Sequence, residues 1–278
     1  MKPNYRYDHF TENISATHAY TDKAMNNEFH LHNSYEIYLF LKGNVNYFVE
    51  QSCYKLQKGN LLIFNSHEIH KAVNLTDTLY ERITIHFKPQ LVRKLCTEKT
   101  NLLSCFENRE KGCKNITLLN KSDVNYLLTA STDLIETLKS NEFGSDLLPL
   151  SYLIQILVKI NEIYSKNEQT NTSIVSPKIG PTLNYIEAHL TDDLSLDTIS
   201  KDLNIDKYYL SHIFKQDTGS TLYQYILVKR IALAKQLLLD GLSVTEACHM
   251  AGFNDYSNFI RTFKKITGLS PRNFSKNG

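Results

Sequence analysis

The sequence predicts a two-domain α+β chain. An antiparallel β barrel with a helical annex comes first, and an all-α domain holding a helix-turn-helix twice follows. Three observations predict it. Between residues about 29 and 88, short stretches alternate apolar with polar side chains, as half-buried strands do. From Pro89 onward apolar residues recur three and four apart, the spacing of one helical face. Near the end one pattern occurs twice: Leu196 falls on Val244, an offset of 48, and after the turn Asp206 falls on Asp255, an offset of 49.

The totals set the frame. The chain has 278 residues, of which 42% are hydrophobic and 22% charged, enough to bury the cores of two ordinary soluble domains. Its 31 Lys and Arg stand against 29 Asp and Glu, so net charge does not select a polyanionic partner. A nucleic-acid footprint has to come from where the cations sit. The five cysteines form no CxxC pair, which suits free thiols in a reducing cytoplasm. The start, "MKPNYRYDHF", has no signal-peptide core. The apolar stretch "LLPLSYLIQILVKI" is too short to span a bilayer and contains Pro, Gln and Lys, so no membrane partner is expected.

In chain order, the strands are "EIYLFLKG", "NVNYFVEQ", "SCYKLQKGNLLIFN" and "LYERITIHF". They are rich in β-branched and aromatic residues, and Gly43, Gly59 and Asn/Ser positions punctuate them. Regular short strands predict a small barrel or jelly roll. The annex helices are "QLVRKLCTEKTNLLSCF", "SDVNYLLTASTDLIETLKS", with Ser122 and Asp123 as its N-terminal cap, and "LLPLSYLIQILVKINEIYSK". From Leu147 to Tyr164 the last of these is apolar over a wide arc. Leu148, Tyr152, Ile156, Ile160 and Ile163 lie on one side, and Leu150, Leu153, Ile154 and Leu157 spread onto the next. Such a helix needs two partners, and the second is expected to be its copy in a homodimer. The polar "SKNEQTNTSIVSPK" is the expected linker.

Each copy of the repeat has one internal logic. A short helix carries Ile199 and Leu203, or Ala247 and Ala251. A tight turn follows, with Gly252 free to take positive φ in the second copy. Asp206 or Asp255 then caps a second helix. In that helix Leu210, Ile213 and Phe214, or Phe259 and Phe263, form an apolar stripe. A helix, a turn of three or four residues and a capped helix describe the motif that lays its second helix in the DNA major groove. The stripe turns Lys207, Tyr208, Ser211, His212 and Lys215 outward in the first unit, and Tyr256, Ser257, Ile260, Arg261 and Lys264 in the second. Arg261 suits guanine, and Ser211, His212 and Ser257 suit base edges. Tyr256 and Ile260 suit a thymine methyl, and Lys215 and Lys264 suit phosphate. Between the units, "TLYQYILVKRIALAKQLLLDG" reads as one helix ended by Gly241, about 30 Å long and close to one DNA turn. Cys248 fills the core behind the second reading helix.

These residues carry a resemblance. "YLSHIFKQDTGSTLYQYILVKRIALAKQLL" and "SVTEACHMAGFNDYSNFIRTFKKITGLSPRNF", about the last 85 residues, resemble the DNA-binding domain of the AraC/XylS family of bacterial transcription regulators. Many members have an apolar Ile-Ala pair where this chain has Ala247-Cys248, a mild change in packing. The front half is similar to the cupin-like sensor barrel of the same family. His30, His32, Glu36 and Gly43 match its first motif; Gly59, His70 and Asn74 match its second, which here has "NSH" in place of Pro-x-Gly.

The resemblance implies a boundary scheme of 1–164 (cupin-like effector-sensing and dimerisation domain), 165–177 (linker) and 178–278 (DNA-binding domain, with helix-turn-helix units at about 196–219 and 244–268). It implies a cytoplasmic, non-enzymatic, effector-responsive activator of carbohydrate or related metabolite genes. Its partners would be double-stranded DNA, RNA polymerase, a small-molecule effector such as a sugar, and a second copy. Three histidines and one carboxylate suit a transition metal, and the same side chains suit hydrogen bonds to a hydroxylated ligand. The spacing leaves that choice open. The expectation carried forward is effector contact by His30, His32, Glu36 and His70, with Arg82 on a barrel strand clamping a carboxylate or sugar oxygen. No cofactor, metal or catalytic residue is assigned. His86 and Tyr38 are expected in the core or at the rim.

Overall fold

The computed structural model describes residues 9–10, 13–26, 28–74, 76–166 and 178–277. The expected linker lies almost wholly outside them. Among the described residues the barrel strands are β1 (His9–Phe10), β2 (Ile14–Thr21), β3 (Met25–Asn26), β4 (Tyr35–Lys42), β5 (Val45–Val49), β6 (Ser52–Lys55), β7 (Asn60–Phe64), β8 (His70–Asn74), β9 (Tyr80–Phe87) and β10 (Ile116–Leu118). They form a six-stranded sheet, β1-β2-β9-β4-β7-β10, and a four-stranded sheet, β3-β8-β5-β6.

Strand alternation places two cores. On β4, Tyr35, Ile37, Leu39 and Leu41 face outward onto the helical annex, with Ile83, Ile85 and Phe87 of β9 beside them. Tyr38 and Phe40 face the other way, between the sheets, against Tyr47, Leu62, Phe64 and Tyr80. Because both faces of β4 are covered, it is buried along nearly its whole length. Each such side chain contributes about 1.5–3 kcal/mol when removed from water. Register then sets Glu36, on the inward face, directly opposite His86 of β9 and Phe64 of β7.

The annex consists of α1 (Pro89–Arg93), α2 (Ser104–Glu107), α3 (Lys121–Thr137) and α4 (Leu148–Lys166). The expected first annex helix is broken in two. Thr97 and Thr100 close a turn on each other's backbone, and Asn101 Oδ1 accepts from Leu103 N at 3.0 Å. Short polar side chains compete with helical hydrogen bonds in this way. The cap of α3 is Asn120, which accepts from Asp123 N at 2.9 Å, in place of the expected Ser122 and Asp123. Five strands lie outside the expected stretches: β1, β2, β3, β8 and β10. β2 buries Ile14, Ala16 and Ala19, and alanine is a weak strand signal. β10 is three residues long and pairs along the edge of β7.

The second domain comprises α5 (Gly180–Ala188), α6 (Leu196–Asp202), α7 (Lys207–Thr218), α8 (Leu222–Leu239), α9 (Val244–Met250), α10 (Tyr256–Thr267) and α11 (Pro271–Asn277). α8 serves two cores. Tyr225 and Ile226 pack with Ile199, Leu210, Ile213 and Phe214 of the first repeat. Ile231, Ala234 and Leu238 pack with Ala247, Cys248, Phe259 and Phe263 of the second. Gly252 has φ +81, and a Cβ there would come within 3.0 Å of Thr191 Cα and the Arg230 side chain, so only glycine fits this turn.

The two domains share one apolar core. Phe29, Leu31, Phe48 and Ile69 of the barrel lie in the same cluster as Leu183, Ile186, Leu210 and Tyr225.

Candidate functional site

The reading helices α7 and α10 are built alike at both ends. Asp206 accepts from Tyr209 N at 2.9 Å and Asp255 from Asn258 N at 2.8 Å. Gly219 and Gly268 close them at φ 67 and 78, where the backbone turns left-handed without a Cβ clash. The stripes Leu210, Ile213, Phe214 and Phe259, Phe263 are buried, which leaves the opposite faces free.

On α7, Tyr208, Ser211, His212 and Lys215 are exposed, Tyr208 by 76%. Lys207 is half-buried, its Nζ 2.8 Å from Asp197, so a phosphate would have to compete with that carboxylate. On α10, Tyr256, Ser257, Arg261 and Lys264 are exposed. Arg261 donates to Asn258 Oδ1 at 3.3 Å, which tethers the guanidinium along its own helix. Ile260 departs from the expected outward set: it is half-buried and packs on the second repeat's core. One residue past Phe259, it sits at the edge of a stripe wider than two phenylalanines. Sequence reasoning passed over Tyr209 and Tyr223, which are 53% and 63% exposed. Their position in the first turn of α7 and of α8 is the signal that could have found them. Between the readers, α8 is 18 residues long, hence about 27 Å.

A polar cluster occupies one end of the barrel interior. His32 and Glu36 come from the start of β4 and the segment before it, His70 from β8 and His86 from β9. Three imidazole nitrogens converge on one carboxylate oxygen, Glu36 Oε2: His32 Nε2 at 2.8 Å, His70 Nε2 at 3.1 Å and His86 Nε2 at 3.4 Å. Glu36 and His70 are buried, whereas the His32 and His86 side chains keep 22% and 33% of their surface in solvent. Phe64 stacks on His70 at 4.4 Å and floors the cluster. Burial pulls the His32 imidazole down to about 4. Burial would raise the Glu36 carboxyl, but the charge on His86 holds it well below the usual carboxylate range. His86 moves the other way: burial lowers it, and Glu36 more than offsets this.

Thus His32, Glu36 and His70 of the expected set meet. His30 stands beside them, its ring 4.5 Å from that of His70 and its Nδ1 3.0 Å from Glu28 O. Arg82 is elsewhere. Four residues before His86 on β9, it lies about 13 Å along the strand. There its guanidinium covers the Tyr80 ring and donates to Thr21 Oγ1 at 2.7 Å. His86, expected as core or rim, is a full member of the cluster. Its signal was present in the sequence, since Arg82, Thr84 and His86 alternate with Ile83, Ile85 and Phe87. Among the described residues His32, Glu36 and His86 form a group able to hold a metal ion, no two of their ligand atoms more than 4.8 Å apart.

The cluster borders the seam between domains. Lys235 of α8, fully buried, donates to the backbone carbonyls of His32 at 3.2 Å and Ser66 at 2.7 Å. Desolvation, with Lys88 and Lys111 nearby, lowers its pKa to about 7. Lys229 Nζ donates to Glu50 Oε2 of the barrel at 2.7 Å and to Glu187 of α5. Lys71 of β8 donates to Ser220 Oγ at 2.7 Å. A cavity of about 260 Å³ lies at this seam, lined by Asn33, Lys88, Lys235 and Phe274 among others.

Comparison with known proteins agrees with this division. Residues 16–157 match the family model of an AraC-like ligand binding domain, and residues 199–277 match a helix-turn-helix domain. An uncharacterised HTH-type transcriptional regulator of Pseudoalteromonas carrageenovora is 36% identical over 92 residues, 33% of this chain and 55% of that one. An HTH-type transcriptional regulator of Staphylococcus aureus is 23% identical over 245 residues, 87% of this chain and 31% of that one. The Msm operon regulatory protein of Streptococcus mutans is 30% identical over 48% of each chain. The chain thus spans about half the length, or less, of these curated relatives. ToxT from Vibrio cholerae O395 is 12% identical with a TM-score of 0.39, covering 96% of this chain and 98% of that one. No described helix is long and apolar enough to cross a membrane.

Proposed function

We propose, for a chain that belongs to the AraC family of transcription regulators, that it reads two half-sites of double-stranded DNA with α7 and α10 and is switched by a small molecule sensed in the barrel domain. The observation that carries this is the duplicated reader: two helices, each Asp-capped and Gly-ended, joined by an 18-residue helix whose core contacts both. A rod about 27 Å long suits readers placed in successive major grooves, which repeat every 34 Å or so.

The switch works through the seam. An effector alters DNA binding only if it binds the docked and undocked arrangements with different affinity. The segment that carries His30 and His32 also carries the carbonyl that holds Lys235, so a ligand contacting His30, His32, Glu36 or His70 moves a contact of α8 itself. Arg82, farther into the barrel, contributes to a longer ligand. A sugar or related metabolite fits the donors and acceptors of this cluster, and carbohydrate genes are the expected targets. Activation through RNA polymerase, a homodimer joined along α4, where Leu148 and Val158 are 43% and 38% exposed, and a cytoplasmic location complete the reading.

DNA affinity across a panel of single-base changes in a selected site tests it. Arg261→Ala relaxes discrimination at one base pair by about 1–3 kcal/mol, and Lys264→Ala weakens all sequences while lowering the salt slope by about 1. Parent-like behaviour of both variants rejects the placement of the second reader.

A further inference from the structure

We infer that the barrel domain holds one divalent first-row transition-metal ion, ligated by His32, Glu36, His70 and His86. The positions open to hydrogen atoms in the cluster point to it. His32 Nδ1 lies 2.7 Å from Ser34 O, and His70 Nδ1 lies 3.0 Å from Glu68 O. A carbonyl oxygen only accepts, so each Nδ1 must carry the proton. A neutral imidazole has one N–H, and its Nε2 is then a bare lone pair. Both lone pairs face Glu36 Oε2, itself an acceptor, at 2.8 and 3.1 Å. His70 Nε2 is buried and makes no well-formed hydrogen bond. Three acceptors facing one another across a low-dielectric pocket repel unless a cation lies between them.

A metal ion satisfies all of them at once. Fixing the far ring nitrogen on a backbone carbonyl is the arrangement that orients ligating histidines. Bonds of about 2.0–2.1 Å in a tetrahedral site set neighbouring ligand atoms about 3.3 Å apart. The separations from Glu36 Oε2 to the three nitrogens, 2.8, 3.1 and 3.4 Å, bracket that edge. Small side-chain rotations therefore open room for the ion. Imidazole nitrogens with one carboxylate select zinc, iron, cobalt or nickel over magnesium and calcium, which prefer oxygen. The exposed parts of His32 and His86 give the ion a way in from solvent. The set is not the one the sequence motif marks. His86 of β9 enters it, while His30, with its Nδ1 on Glu28 O, stays outside contact with Glu36.

The inference stands apart from the identity of any organic effector and from DNA reading, which is measured separately on the same samples. The full chain, stripped with a chelator and dialysed against buffered Zn²⁺, retains one equivalent of zinc by elemental mass spectrometry. Substituted Co²⁺ gives the visible absorption of a tetrahedral nitrogen/oxygen site. His86→Gln lowers metal affinity by about 10–100-fold or more, whereas His30→Gln keeps the full equivalent. Circular dichroism establishes that each variant is folded. A wild-type chain that stays folded and retains less than roughly a tenth of an equivalent overturns the inference. So does zinc retained by His86→Gln and lost by His30→Gln. The cobalt spectrum of the unsubstituted chain needs no variant, and its absence at saturating Co²⁺ is equally decisive.

Discussion

Lys229→Met removes an ammonium held between the domains, and its cost follows from the geometry. The Lys229 side chain is 2% exposed, with Nζ 2.7 Å from Glu50 Oε2 and a second contact to Glu187. Burial depresses the lysine, but the two carboxylates prevail and raise its pKa. Glu50 sits at the β5–β6 turn at φ 50, a left-handed conformation that costs a non-glycine residue about 1–2 kcal/mol. At an effective dielectric of about 20, charges at this separation attract by roughly 6 kcal/mol before desolvation is subtracted. Without Lys229, Glu50 keeps Ile69 N at 2.9 Å and Lys111 at 3.3 Å, but the Lys111 side chain is 42% exposed and screened. Breaking a buried pair from one side therefore costs about 3–5 kcal/mol. Removing both charges, in Lys229→Met with Glu50→Gln, returns most of it. Urea unfolding of the full chain measures the loss, and hydrogen exchange at Phe48, Cys53 and Val73 shows whether the docked face opens. A single variant within about 0.5 kcal/mol of the parent, or a double variant no better than the single, refutes the reasoning.

Phe48→Ala strikes the shared apolar core, where the ring meets Phe29 edge-on at 5.9 Å. It costs about 3–5 kcal/mol and separates barrel melting from helical-domain melting in calorimetry. Asp255→Ala removes the cap of α10 and costs about 1 kcal/mol. Its signature is weaker operator binding at one half-site with the barrel transition unmoved.

Local chemistry was legible in the sequence and long-range pairing was not. The caps Asp206 and Asp255 and the stripes of α7 and α10 are all decided within a turn or two, and the structure shows each of them. β4 and β9 were visible by alternation, and with them the inward face that carries Glu36. His86 shares that face, but its meaning depends on the register that sets it opposite Glu36, which residue type alone does not state. Lys229 and Lys235 carry no local signal of burial within the connecting rod. Their partners, Glu50 and the carbonyls of His32 and Ser66, lie 169 to 203 residues earlier. The break between α1 and α2 turned on hydroxyl and amide side chains outcompeting a helix whose apolar spacing looked sound.

The central claim is that α7 and α10, set apart by α8, enter consecutive major grooves of one duplex face. Hydroxyl-radical footprinting of the full chain on a duplex selected from a random pool tests it most directly. Two protected patches on one face, about 10–10.5 base pairs apart, are expected, with Asp255→Ala weakening one and sparing the other. A single patch, or two on opposite faces of the duplex, contradicts it.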